Sequence, residues 1–492
     1  MSGCHVYQAL KYDFRSPLEG FFCRGKGKVM TKTFEFLKAD PAVRFRQPIG
    51  EKRAIEQVDA PNLLRSMFPY HEVPKITFDP APEVALDPPE ELFITCTTFR
   101  DGQQARTPYT VQQIADLYDM ESRLSGPNGV IRQSEFFLYT ERDRDAVARV
   151  LALGRRYPEV TSWIRANKND LKLVKELGLK ETGILTSASD YHIFKKLGLD
   201  RKKAADVYLG VVREAVDAGI KPRCHLEDLM RADIYGFVVP FVQELMQIQK
   251  DSGIPVTVRL CDTMGWAVPY PGASLPRSVA KLVHVLIHEC GVPKAQLEWH
   301  GHNDFYKTLI NASTAWLYGC AGANGTLLGI GERTGNTPIE GLCVEYAMLM
   351  GTPNGMDLRV ITEIAEYYRR ELKEEIPLRT PLVGDEFNTT AAGIHVDGMM
   401  KDPEIYNIFD TEALLNRPVG VKINDKSGAA GVAYWVNQFL RLAGDEQLDK
   451  KHPAIMHIAA WVDAQYHQGR TTAIASEEML ELLHEHLPEC VK

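Results

Sequence analysis

From residue 91 onward the chain alternates short apolar, β-branched runs with longer stretches whose apolar positions recur every three to four residues. "ELFITCTTF" leads into "YTVQQIADLYDMESRL" and "SEFFLYT" into "RDRDAVARVLALGRRY"; the pattern continues through "VTSWIRA", "ETGILTSA", "IKPRCHLED", "IPVTVRLCD", "AQLEWHGHND" and "GANGTLLGIGE". Runs of the first kind read as strands and the intervening stretches as amphipathic helices. Repeated β-α units require a parallel sheet, because parallel neighbours need a crossover long enough to hold a helix. About eight strand candidates in about 260 residues match the α/β class and a closed (β/α)8 TIM barrel better than an open sheet. No Gly-x-Gly-x-x-Gly follows the first strand, which argues against a dinucleotide-binding fold.

The alternation stops near residue 350. Beyond it, "ITEIAEYYRRELKEEI", "SGAAGVAYWVNQFLRLAG" and "HPAIMHIAAWVDAQYHQG" read as helices. Before it, a helix-like piece near "TKTFEFLKADPAV" gives way to the proline-rich "FDPAPEVALDPPEE", the composition of an arm or linker. The expected organisation is an N-terminal arm over residues 1 to 85, a catalytic barrel over 86 to 350 and a mostly helical C-terminal region over 351 to 492.

Composition narrows the function. Hydrophobic residues at 45% and charged residues at 25% are those of a folded globular protein. A net charge of -8 offers no electrostatic footprint for nucleic acid or an anionic membrane. The nine cysteines are scattered singly without a C-x-x-C pair, the usage of a reducing compartment. The N-terminus lacks the basic-then-apolar layout of a signal peptide, and no stretch approaches the roughly 18 apolar residues that cross a bilayer. A cytoplasmic protein acting on small molecules is expected.

In such a barrel, reactive groups come from the C-terminal ends of several strands. Four ends are informative. In "TTFRDGQQ", Arg100 and Asp101 follow an apolar strand and precede Gly102, an arrangement that would also suit a plain ion pair. In "WHGHND", a two-residue spacing on an extended strand puts His300 and His302 on one face. With Asp101 they make a two-imidazole, one-carboxylate set that leaves positions open on a divalent ion for a bidentate substrate. "HLEDLMRAD" offers Glu227, Asp228, Arg231 and Asp233, of which the last three equally suit capping and salt bridges. In "RLCDTMG", Thr263 reads either as a helix cap or as a hydroxyl donor to a substrate carboxylate.

"TTFRDGQQ", "HLEDLMRAD", "CDTMG", "HGHND", "GIGERTGNTPIE" and "AGIHVDGMMKDPEIY" stand in one order and spacing. Together they resemble the metal-dependent acyl-CoA condensing enzymes built on a TIM barrel, among them the isopropylmalate, homocitrate and Re-face citrate synthases. The resemblance covers roughly residues 90 to 440. It is strongest toward the Re-face citrate synthases in "SASDYHIFKKLGL", "EWHGHNDFYKTLINASTAWLYGC" and "DKSGAAGVAYWVN".

The resemblance implies roles. Asp101, His300 and His302 match metal ligands, with Asn336 a further ligand or a support to one, for Mn2+, Mg2+, Co2+ or Zn2+. Arg100 matches the arginine facing the keto oxygen, Thr263 the threonine on the keto acid's carboxylate, Gln104 a substrate-binding position and Glu227 an acid near the acetyl group. His395, in "AAGIHVDG", matches a histidine that enters the partner subunit's site and serves as, or relays to, the base on acetyl-CoA. A homodimer with exchanged C-terminal regions is therefore implied.

Other readings fare less well. Acyl-CoA lyases on the same barrel place a catalytic cysteine in the loop that here reads "GIGERTGN", and no cysteine lies between Cys320 and Cys343. Biotin-dependent carboxyltransferases need a carboxylated lysine, for which no candidate stands out. A non-catalytic metal sensor would not need arginine, aspartate, glutamate and two histidines at separate strand ends. The stretch after His395 is too short and too occupied by helices for an appended leucine-binding domain. Oxaloacetate is therefore expected ahead of 2-oxoglutarate and 2-oxoisovalerate, with Arg165 of "SWIRANKND" a possible partner of a distal carboxylate.

Overall fold

In the computed structural model, residues 45–488 are described, apart from 47–48, 74–75, 80 and 443. The helix expected near "TKTFEFLKADPAV" lies outside the described residues.

Eight parallel strands close a barrel in sequence order, each followed by a helix. They are β1 Phe93–Cys96, α1 Val111–Ser125, β2 Ile131–Phe136, α2 Glu141–Ala152, β3 Glu159–Arg165, α3 Lys168–Glu176, β4 Glu181–Ser187 and α4 Arg201–Asp217. The second half comprises β5 Lys221–Glu227, α5 Val239–Ser252, β6 Thr257–Asp262, α6 Val279–His288, β7 Leu297–Gly301, α7 Thr308–Tyr318, β8 Gly322–Gly325 and α8 Ile339–Met350. The expected (β/α)8 barrel is present. Helix starts follow local chemistry: Thr110 with Gln113 and Thr140 with Asp143 form reciprocal capping boxes that satisfy the free N–H groups of α1 and α2.

The barrel interior differs from the apolar filling that strand patterns suggest. Glu135, Arg223, Arg259 and Glu298 are all buried inside it. Arg259 donates to Glu298 Oε2 at 2.6 Å and to Glu135 Oε2 at 3.1 Å, while Arg223 Nε lies 3.2 Å from Glu298 Oε2. Each charge is offset by another, and removing one member of such a buried pair costs about 3–5 kcal/mol. This network also explains β2, which begins before the apolar "SEFF" run so that Gln133 and Glu135 point inward.

Strand alternation carries the inward face up to the barrel's C-terminal mouth. On β5 the series is Arg223, His225, Glu227; on β6 it is Arg259, Cys261 and, just past the strand, Thr263; on β7 it is Glu298, His300 and then His302. The lower members form the ion-pair layer and the upper members line a cavity.

After the barrel come α9 Val360–Arg370, β9 Thr389–Thr390, α10 Gly393–Lys401, α11 Thr411–Leu415, β10 Gly420–Val421, α12 Gly428–Leu440, α13 Pro453–His467 and α14 Ser476–His486. The expected helical C-terminal region is there. Val360, Ile364 and Tyr368 of α9 pack into the barrel's own core, and the Tyr368 and Tyr109 hydroxyls are 2.7 Å apart. A separate core of Val396, Met399, Val432, Val436, Ile455, Ile458 and Leu483 holds α10 and α12–α14 together.

Upstream, the arm runs along the outside of the barrel. Glu56 N donates to Gly236 O at 2.8 Å, Asp79 N to Gly272 O at 3.0 Å and Asp87 N to Leu317 O at 3.0 Å. Among the described residues no helix is long and apolar enough to cross a membrane.

Candidate active site

At the mouth, β1 and β7 deliver Asp101, His300 and His302 to one point. All three are buried, and one ligand atom from each lies within 4.8 Å of the others. Asp101 Oδ2 is 3.6 Å from His302 Nε2 and 3.8 Å from His300 Nε2. His300 Nδ1 lies 2.7 Å from Asn324 Oδ1, an acceptor, so Nδ1 carries the proton and Nε2 keeps its lone pair toward Asp101. Asn324 is fixed in turn by donating to Thr95 Oγ1 at 2.9 Å.

The charge states suit a cation. Burial pushes the His300 imidazole down to about 3, with His302, Arg100 and Arg259 adding to the effect against Asp101. His302 is lowered for the same first reason. Burial would raise Asp101, but Arg100 and the two histidines outweigh it and hold the carboxyl well below its usual range. Two neutral imidazoles beside a carboxylate are the donor set of a divalent metal. Asn336 donates from Nδ2 to Asp101 Oδ2 at 2.6 Å, while its buried Oδ1 has no hydrogen-bond partner among the described residues. That oxygen lies against Gly331, where a Cβ would come within 1.6 Å of it. In this position Asn336 supports Asp101, and its amide oxygen is a spare donor beside the site.

Arg100 is buried next to this cluster. It donates from Nη1 to Asp101 Oδ1 at 2.8 Å and from Nε to Glu135 Oε1 at 3.0 Å, and it stacks over Trp163. Glu135 thus joins the site to the ion-pair layer beneath. His225 Nε2 lies 3.3 Å from Glu135 Oε2. The two side chains share space opened by Gly183, whose added Cβ would meet them at 2.7 and 2.9 Å.

Across the cavity stands Glu227. Ser187, its register partner on β4, donates to Oε2 at 2.5 Å; His192 Nδ1 lies 2.9 Å from the same oxygen, and Lys196 donates to Oε1 at 2.9 Å. Burial raises this carboxyl, yet His192, Ser187 and Lys196 together bring it to about 2. It is a fixed anion at neutral pH. Beside it, Thr263 Oγ1 accepts from Asp228 N at 2.8 Å, which leaves the hydroxyl proton free to be donated elsewhere.

Arg100, Asp101, Gln104, Glu227, Thr263, His300 and His302 all line one cavity of about 290 Å³. Asn336 sits behind Asp101. Arg165 is not brought there: its side chain is 61% exposed and forms a two-bond pair with Asp170 at 2.8 and 3.0 Å. His395 is also away from this cavity, exposed on α10 with Nδ1 3.3 Å from Thr390 Oγ1 and its ring against Tyr406. Asp228, Arg231 and Asp233 act as ion pairs and caps: Arg231 bonds Asp228 at 2.9 Å, and Asp233 accepts from Gly236 N at 2.8 Å. Cys261 lines the cavity, but burial pushes its thiol well up, so it is no nucleophile.

Sequence reasoning missed Glu135, Asn324, His192 and Lys196. The inward parity of β2 could have exposed Glu135; the strand reading of "GANGTLLGIGE" and the helix-like "YHIFKK" do not show that Asn324 meets His300 or that His192 and Lys196 meet Glu227.

A parallel (β/α)8 barrel with a buried carboxylate, two neutral imidazoles and an arginine at its mouth is the frame of a barrel enzyme with a cation site. Residues 91–367 match the HMGL-like family, and the chain belongs to that family. It is 58% identical to the citrate (Re)-synthase of Syntrophus aciditrophicus, covering 88% of this chain and 69% of that protein. It is 52% identical to the citrate (Re)-synthase of Clostridium kluyveri over 89% of this chain and 96% of the relative. The 2-phosphinomethylmalate synthase of Streptomyces hygroscopicus is 35% identical over 86% of this chain and 96% of its own length.

Proposed function

We propose that this chain is an acyltransferase that condenses acetyl-CoA with oxaloacetate and releases citrate and free CoA. The observation that carries the reading is that Arg100 and the two histidines converge on one carboxylate, Asp101, at the barrel mouth. The two citrate (Re)-synthases, similar over most of this chain, support the choice of oxaloacetate.

A divalent ion held by Asp101, His300 and His302 would act as a Lewis acid on the keto group. Arg100, held rigid by Asp101 and Glu135, meets negative charge developing on the keto oxygen without reorganising. Thr263 donates a hydrogen bond from its free hydroxyl to the oxo acid's carboxylate, and Gln104 lines the same space. The new bond joins the acetyl methyl carbon to the keto carbon; the methyl proton leaves to a base, the keto oxygen ends as a hydroxyl, and water cleaves the thioester to expel CoA. Glu227, ionised at neutral pH, orders the acetyl side as a fixed anion.

The base in this reading is His395 of the opposite subunit in a homodimer. An imidazole suits proton transfer near neutral pH. The surface around His395 supports a covering partner: Ile394 is 77% and Ile408 96% exposed, with Ile405 and Phe409 close by. The protein works in the cytoplasm, and Mn2+, Mg2+, Co2+ and Zn2+ are the candidate ions. The deciding experiment incubates the purified protein with acetyl-CoA, a divalent ion and, in turn, oxaloacetate, 2-oxoglutarate and 2-oxoisovalerate, and follows free thiol. Oxaloacetate should give the highest kcat/KM; a higher value with 2-oxoglutarate or 2-oxoisovalerate would move the assignment to homocitrate or isopropylmalate synthesis.

A further inference from the structure

Between β4 and α4 the chain makes one π-helical turn, Tyr191–Lys196. Its inner side reaches the cavity: His192 Nδ1 is 2.9 Å from Glu227 Oε2, and Lys196 donates to both Glu227 oxygens at 2.9 and 3.1 Å. Its outer side is gripped by the arm. Asn62 N donates to Asp190 Oδ2 at 2.7 Å, and the Tyr191 hydroxyl donates to Leu63 O at 3.2 Å. Two guanidiniums lie against the Tyr191 ring, Arg65 of the arm at 5.8 Å and Arg231 of the β5–α5 connection at 4.1 Å. Asp190 is braced from the barrel side by Arg201, with two bonds of 2.8 Å.

We infer that residues 62–65 of the arm form a strap that positions Glu227 by holding the Tyr191–Lys196 turn against the barrel mouth. The turn stands apart from α4, which starts only at Arg201, so outside contacts support its shape, and π-turns recur at functional sites. Two of the turn's six residues contact Glu227, which lines the cavity together with Asp101, His300 and His302. Arg65 and Tyr191 are positioning residues, and Lys196 and His192 pass the constraint on to Glu227. The oxo acid is held by Arg100, by Thr263 and by the ion at Asp101, His300 and His302 rather than by Glu227, so loosening the strap should lower turnover more than it weakens oxo-acid binding.

The inference rests on the proposed condensation for its kinetic part only; the lysine readout is independent of it. In the full-length protein, Arg65→Ala and Tyr191→Phe would be compared with Arg65→Lys, which keeps a cation over the ring. Two readouts are taken: initial rates with acetyl-CoA and oxaloacetate, and the labelling rate of Lys196 by a small amine reagent, followed by peptide mass spectrometry. The expected result is faster Lys196 labelling in Arg65→Ala and Tyr191→Phe, a fall in kcat on the order of tenfold from a misplaced positioning group, and an oxo-acid KM changed less than about twofold. Arg65→Lys should restore both readouts toward wild type. Unchanged Lys196 labelling in both loss variants would overturn the strap, whether or not kcat fell. A wild-type protein that turned over none of the oxo acids would remove the proposed reaction, and the labelling would still decide the strap.

Discussion

Asn324 on β8 fixes His300 on β7: the 2.7 Å bond from His300 Nδ1 to Asn324 Oδ1 sets which ring nitrogen keeps its lone pair for a cation. Residues behind metal-ligating histidines typically change affinity about 10- to 100-fold when removed. Asn324→Ala should therefore weaken Mn2+ binding by that range in equilibrium dialysis while the protein stays folded. Wild-type affinity in the variant would show that the bond does not orient the ligand.

Arg100 and His302 should separate charge stabilisation from metal binding. His302→Ala is expected to lose both the ion and turnover. Arg100→Ala should retain the ion, because Asp101, His300 and His302 all remain, and lose roughly 10²-fold or more in kcat, as for other lost oxyanion stabilisers. Metal content by elemental analysis and kcat on the same samples check both; normal turnover in Arg100→Ala would remove its assigned role.

Glu121 predicts an unusual pH dependence of stability. Buried between α1 and β2, its carboxyl is pushed by burial from 4.5 up to about 8, against hydrogen bonds from Ser134 and Cys96. Between those pH values the folded protein keeps a proton that the unfolded chain has lost, so stability falls as pH rises through that window and levels off above it. Glu121→Gln mimics the protonated acid and lacks this loss. Relative to wild type, the variant should gain on the order of a few kcal/mol in going from pH 5 to 8.5, measured by urea unfolding. An equal difference at both pH values would place the ionisation elsewhere.

His395 and Asp101 offer a test of the crossed dimer. If the imidazole serves the other subunit's barrel, a His395→Ala and Asp101→Ala heterodimer has one site with both defects and one with neither. Statistical mixing gives about half heterodimers, so activity should rise toward roughly a quarter of wild type. Subunits shown by mass to have exchanged, yet inactive, would contradict the crossed arrangement.

The barrel was legible because short strand-like runs alternate regularly with amphipathic helices, and the pairing of His300 with His302 because they keep the two-residue spacing of one strand face. The ion-pair layer was not, since Arg223, Arg259 and Glu298 look like outward-facing positions until the closed sheet makes the opposite face an interior. Lys196 and His192 were hidden because a π-turn shifts helical spacing by a residue and brings both to Glu227. Arg165, a charged residue at a strand end, pairs with Asp170 five residues along the chain instead of lining the cavity, which spacing alone does not reveal.

Chelation and reconstitution test the central claim, that acetyl-CoA condenses with oxaloacetate at a divalent ion bound by Asp101, His300 and His302. Protein stripped to undetectable metal should release no CoA thiol from acetyl-CoA and oxaloacetate, and adding Mn2+, Mg2+ or Co2+ should restore thiol release together with an equal amount of citrate. Full citrate formation by the demonstrably metal-free protein would contradict it.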